Sequence, residues 1–136
     1  MPFTGNYTCN SFKEGLFNAD FDFSSGTFRL ALYTNAANLN EDTTEYTTTG
    51  EATGGNYVAG GQVLTPTVAE ANGVAYITFA NVSWTGAITA RGALIYKAGA
   101  NGAVCVLDFG SDKTSTTTFQ VQFPAATSSS AIIRLS

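Results

Sequence analysis

The hydrophobic positions of this chain fall mostly in short runs of period two, the signature of strands whose side chains point alternately to opposite faces. The clearest run begins at Thr27. Phe28, Leu30 and Leu32 share one face and Arg29, Ala31 and Tyr33 the other, which predicts a half-buried strand. In "TFQVQFP", Phe119, Val121 and Phe123 point inward between Gln120 and Gln122. Further strands are expected at Val63–Thr67 (interrupted at Pro66), at Val74–Asn81 with Val82–Trp84 continuing after a kink, and in the closing "AIIRL". "ITARGALIYK" and "AVCVLDF" flank "AGANG", a loop of glycine and small residues that predicts a hairpin. Both flanks are apolar at successive positions, so these two strands are expected to be covered on both faces.

One segment has a different period. In "SFKEGLFN", Phe12 and Leu16 stand four apart and Phe17 widens their face, which predicts one short helix. Ser11 and Glu14 have capping-box spacing, while Gly15 lowers the helix propensity. Residues 1–10 show no period and read as an extended N-terminal arm. "NAANLNEDTTEYTTTGEA" reads as a surface connection, in which Asn38 or Asn40 could cap a single acidic turn. Ser24-Ser25-Gly26 and Asn72-Gly73 are turn signals. The expected fold is all-β: a single-domain antiparallel β-sandwich, jelly-roll-like, over residues 11–136, with the short helix at its start and the arm before it.

The chain's 136 residues suit one domain with a real core. Only 12% are charged, about half the usual share, so Thr, Ser, Asn and Gln must supply most of the polar surface. Such a surface suits a protein packed against neighbours. The six bases are scattered and the net charge is −4, which argues against partnership with nucleic acid or an anionic membrane. No segment has the pattern of a signal peptide or the length of a membrane span, so the sequons at Asn6 and Asn81 read as chance matches. Cys105 lies in an apolar run, where a reduced cysteine behaves as a small hydrophobe, and Cys9 in a polar one; a disulfide between them is open, although two cysteines without a framework rarely signal one.

Candidate chemistry is thin. Gly55 and Gly60 have Walker A spacing, but Gly61 and Gln62 stand where Lys and Ser or Thr belong. The four glycines of "TGGNYVAGGQ" are therefore expected to serve the backbone, with Tyr57 as a packing anchor. "DFG" at Asp108–Gly110 lacks every companion of a kinase site and reads as a strand end. Asn18, Asp20 and Asp22 alternate like the start of a calcium loop, yet Phe23 replaces the required glycine. With no histidine, the commonest general base is missing. Glu51 with Glu70, or Asp108 with Asp112, could form a carboxylate pair only by folding together, and all four read more simply as loop acids. The sequence thus predicts no enzyme, no catalytic residue, no cofactor and no metal. Arg91 is the odd polar residue in an apolar strand. A guanidinium there needs a carboxylate or several carbonyls, and Asp108 is the expected partner. The other role open to Arg91 is an anchor in a subunit contact.

Read in order, "FRLALYTNAANLNEDTTEYTTTGEATGGNYVAGGQVLT", "VSWTGAITARGALIYK" and "AVCVLDFGSDKTSTTTFQVQFP" resemble a group of small tailed-bacteriophage virion proteins. These share a Leu-Tyr-Thr strand end, a Thr- and Tyr-rich loop and a Gly-x-Tyr-x-x-Gly-Gly segment. The resemblance covers nearly the whole chain from about Phe12 and excludes the arm. It implies a structural role in the virion and carries over no catalytic or ligand residue. Size, β character, low charge and the arm favour a capsid decoration or cement protein on the head surface, bound to the major capsid protein or other virion subunits and able to form a homo-oligomer. Phe3 and Tyr7 would then be arm anchors, with Arg91 as a third contact residue. A tail, neck or fibre component is the alternative, as is a host-attachment module that binds sugar on Trp84, Tyr57 and Tyr46, although the simpler expectation for Trp84 and Tyr57 is the core.

Overall fold

The computed structural model describes residues 3, 5–124, 127 and 129–135. These form one helix, α1 (Asn10–Phe17), and ten strands. The strands are β1 (Tyr7–Thr8), β2 (Phe28–Tyr33), β3 (Gln62–Val63), β4 (Pro66–Ala71), β5 (Val74–Phe79), β6 (Val82–Thr85), β7 (Thr89–Lys97), β8 (Ala103–Thr114), β9 (Thr118–Val121) and β10 (Ile133–Leu135). Every pairing is antiparallel. A five-stranded sheet runs β1-β8-β7-β2-β3, a three-stranded sheet β10-β5-β4, and β6 pairs with β9. Side chains from all three sheets meet in one hydrophobic core. The protein is therefore mostly β, with antiparallel sheets and one short helix, as the period-two pattern predicts.

β7 and β8 are apolar at consecutive positions and form the buried centre of the large sheet, covered on both faces as expected. β2 departs from its expectation. Ala31 and Tyr33, read as the open face, are as buried as Leu30 and Leu32. Alternation marks two faces, and here both are covered. The Asn72-Gly73 turn is borne out with its geometry. Both residues have positive φ, at 55° and 78°, as a two-residue hairpin turn demands. The strand before it begins at Pro66 instead of breaking there. Proline is tolerated as the first residue of a strand, where no ladder donor is needed.

β8 continues past "DFG" to Thr114. Gly92 pairs with Asp108 and Ala90 with Lys113, so Arg91 stands opposite the four-residue excursion Phe109–Asp112. This wide bulge lets the ladder resume after what the sequence marks as a turn.

The helix and the arm require larger corrections. The Ser11–Glu14 capping box does not form: the cap residue is Cys9, without a side-chain cap, and Ser11 Oγ donates to the Ala103 carbonyl at 3.0 Å. Phe12 and Gly15 are the buried helix residues, whereas Leu16 and Phe17 are exposed. The Phe21 ring occupies the space a side chain at position 15 would take, so the small residue is a packing requirement. Before the helix, the described part of residues 1–10 is part of the domain. Tyr7 and Thr8 pair with Val106 and Cys105, Cys9 N donates to the Val104 carbonyl at 2.9 Å, and Phe3 is 1% exposed.

Candidate functional site

The glycine-rich segment is held by a polar cluster around Glu51. Oε1 of Glu51 accepts the Tyr46 hydroxyl at 2.6 Å. Oε2 accepts the Tyr57 hydroxyl at 2.6 Å and the Gly60 amide at 2.8 Å. Tyr57 Oη in turn accepts the Leu32 amide of β2 at 2.9 Å, and the Tyr96 hydroxyl of β7 donates to the Gly60 carbonyl at 2.7 Å. The Tyr46 and Tyr96 rings stack at 4.9 Å. Burial, followed by the Glu51 contact, raises the Tyr46 and Tyr57 phenols well above their ordinary value. Burial raises the Tyr33 phenol likewise. The backbone reading of the glycines holds. Gly55 and Gly61 have φ of 50° and 78°, and a Cβ on either would collide with the carbonyl oxygen of Thr85 or Leu30.

The loop fixed in this way holds an apolar residue out in water. Val58 is 70% exposed, and Val63 on the neighbouring edge strand β3 is 53% exposed. Asn56 steadies the loop from the other side: its amide donates to the Thr85 carbonyl at 2.9 Å and its Oδ1 accepts the Thr85 amide at 2.8 Å. The cluster thus works as a brace for a small apolar display.

A second apolar surface lies where α1 and Phe21–Ser24 face the three-stranded sheet. It is a groove of about 830 Å³. Phe12, Leu16, Phe21 and Phe23 form one wall, and the Phe12–Phe21 edge contact at 4.9 Å and the Phe23–Phe28 stack at 4.1 Å fix its shape. The other wall is the row Val68–Ile77–Ile133, aligned across β4, β5 and β10 by the register, with exposed Leu135 beyond it. Lys13, Asp22 and Arg134 stand at its rim. Hydrogen bonds from the hydroxyls of Ser24 and Ser25 hold the Asp22 carboxyl at about 2. Thr8 of β1 also lines this groove, so the groove and Val63 belong to opposite edges of the five-stranded sheet.

The residues singled out in the sequence lie as follows. Arg91 meets its expected partner: Nη2 lies 3.0 Å from Asp108 Oδ1 and Nε donates to the same oxygen at 3.1 Å. The Phe3 ring centroid lies 5.9 Å from the guanidinium. Phe3 is therefore an interior support of the ion pair and not a surface anchor, and Tyr7 is a half-buried member of β1. Glu51 and Glu70 lie on separate elements, the former braced by tyrosines and the latter exposed on β4. Asp108 is held by Arg91 and Asp112 lies in the exposed bulge. Trp84 is buried with the Tyr57 ring 5.5 Å away, so these two belong to the core and do not form a surface platform. Cys9 and Cys105 are free, buried thiols, and burial raises Cys9 to about 11. Among the described residues no helix is long and apolar enough to cross a membrane.

In comparisons with known proteins, no family model, curated protein or solved structure matches this chain.

The sequence reading missed Val58, Val63, Phe17 and the groove. Each is an apolar residue that pattern alone assigns to the interior. Val58 and Val63 are left open at the braced loop and the edge strand β3, and the groove exists only through the relative placement of α1 and the β4–β5 hairpin.

Proposed function

We propose that this chain is a non-catalytic virion structural protein of a tailed phage, and that it decorates the head surface by non-covalent contact with the major capsid protein. The observation that carries this reading is the braced loop that holds Val58 out in water, followed by the exposed Val63 of edge strand β3. Glu51, Tyr46, Tyr57 and Tyr96 are spent on holding the segment that runs from Glu51 to Gly60, and what that bracing presents is an apolar contact. A pre-ordered surface binds without the entropy cost of ordering a loop. The low charge and the order of the sequence motifs support the same reading. The chain has no histidine, and Glu51 and Asp108 are engaged internally, which supports a role without catalysis. A jelly-roll-like sandwich is the finer architecture we propose, supported by the single core shared by all three sheets. A decoration protein stabilises its shell by mass action, by about 2.7 kcal/mol per site at a hundredfold excess over Kd, and repetition over a lattice multiplies the effect.

The test is co-sedimentation of the purified protein with heads that lack it, together with the temperature at which those heads rupture. Saturable binding and a raised rupture temperature are expected. Val58→Asp with Val63→Asp should abolish both while the circular dichroism stays unchanged. Heads that neither bind the protein nor gain stability would remove the reading.

A further inference from the structure

Resting on that function, we propose that the surface offered to the shell carries its own ionic anchor: the Arg29 guanidinium receives an acidic side chain of the shell subunit beside the apolar contact at Val63. Arg29 is the one half-buried position of β2, whose other five residues are buried. The register sets it directly opposite Val63 of edge strand β3 and Tyr96 of β7, so the three side chains form a row on one face of the five-stranded sheet. Burial raises the Tyr96 phenol and the Arg29 charge partly offsets this, which puts the guanidinium within electrostatic reach of that ring. The Tyr96 hydroxyl donates to the Gly60 carbonyl, so the row is tied to the braced loop.

What singles Arg29 out is its missing partner. A guanidinium has five donors and no acceptor, and once drawn partly out of water it needs a carboxylate or several carbonyls. Arg91 in the adjacent strand has Asp108, and Arg134 donates to the Ser129 carbonyl at 2.5 Å. Arg29 has neither an ion pair nor a hydrogen bond among the described residues. Glu51, the carboxylate of the braced cluster, is taken up by Tyr46, Tyr57 and Gly60. Among the described residues no buried side-chain nitrogen lacks a hydrogen-bond partner, so an unbonded guanidinium is one that a partner can reach. The chain is short of charge, at 12%, so a free arginine beside an exposed valine is a local feature and not part of a generally charged surface. Arginine with apolar neighbours is the kind of group that anchors protein contacts, and its complement is a carboxylate set beside an apolar spot. The net charge of −4 and the scattered bases weigh against a nucleic-acid phosphate in that place.

Co-sedimentation with heads that lack the protein, carried from low to high salt, tests this. Binding of the full chain should weaken as salt rises. Arg29→Gln, with an unchanged thermal melt, should weaken binding at low salt by at least about tenfold and flatten its salt dependence. Arg29→Lys should recover only part of the loss, because it keeps the charge and loses the planar fork. Conversion of the carboxylates on the heads to amides, with a carbodiimide and an amine, should weaken binding of the unaltered chain and leave the residual binding of Arg29→Gln unchanged. That arm needs no variant to fold. Salt-independent binding overturns the proposal, as does an Arg29→Gln chain that binds like the unaltered one, or Arg29-dependent binding that survives amidation of the heads. Each of these leaves head decoration standing. Heads that bind no form of the chain remove the decoration reading and the proposal with it.

Discussion

Glu51 is the residue on which the glycine-rich segment depends. Its carboxylate takes three hydrogen bonds, from Tyr46, Tyr57 and Gly60. In Glu51→Gln an amide NH2 replaces one acceptor oxygen, so one or more of these donors loses its partner. We expect a loss of about 1–3 kcal/mol in denaturant unfolding, with the fold retained. Tyr57→Phe should cost about 1–2 kcal/mol by the same reasoning, because it removes both the donor to Glu51 and the acceptor of the Leu32 amide. The phenols give a pH signature as well. Tyr33, Tyr46 and Tyr57 are raised from an ordinary value of 10.0, principally by burial. Below that value the folded and unfolded chains both carry neutral phenols, and these groups confer no pH dependence. Above it the unfolded chain releases protons that the folded chain keeps, so stability should fall as pH rises beyond about 10. Ring-carbon resonances of labelled tyrosine should show these three residues ionising only with global unfolding.

At the scale of elements, the N-terminal segment matters most. Without period or family likeness, residues 1–10 look detachable, yet Phe3 fills a space against Gly92 and under Arg91, and β1 adds an edge to the large sheet. Phe3→Ala should therefore cost about 3–5 kcal/mol in thermal or denaturant unfolding. Removal of residues 1–8 should destabilise the whole domain and not merely silence a contact. A truncated chain that melts like the intact one would contradict this placement. The contrast with β7 and β8 shows what the sequence could reveal. Their unbroken apolar runs and the "AGANG" loop specify a buried hairpin locally, and the Arg91–Asp108 pair follows from the rule that a buried guanidinium needs a carboxylate. Asn72-Gly73 specifies its own turn for the same local reason. β1 and β4 were hidden because two residues carry no period and because "TVAEA" pairs alanines with a glutamate. What makes both of them strands is the partner strand, not their own composition. The groove was illegible for the same reason. It exists only through the packing of α1 against a hairpin far along the chain, Pro66–Phe79.

Among the described residues, two apolar surfaces stand on one antiparallel frame, one at the braced loop and β3, the other along α1 and the outer sheet. Among the described residues every buried side-chain nitrogen and oxygen has a hydrogen-bond partner, so the interior is satisfied and the surplus is all at the surface. In our account the apolar surface at the braced loop and β3 is the one offered to the shell. The two cysteines report on the stiffness of the frame. Buried and held mostly protonated, Cys9 should resist alkylation at neutral pH in the native protein and react only on unfolding. The central claim itself is about where such a surface is used and how often. Calibrated mass spectrometry of purified virions, counting copies of this chain against the major capsid protein, tests it most directly. Hundreds of copies per particle are expected; six, twelve or another small multiple, or none at all, would contradict a role on the head shell.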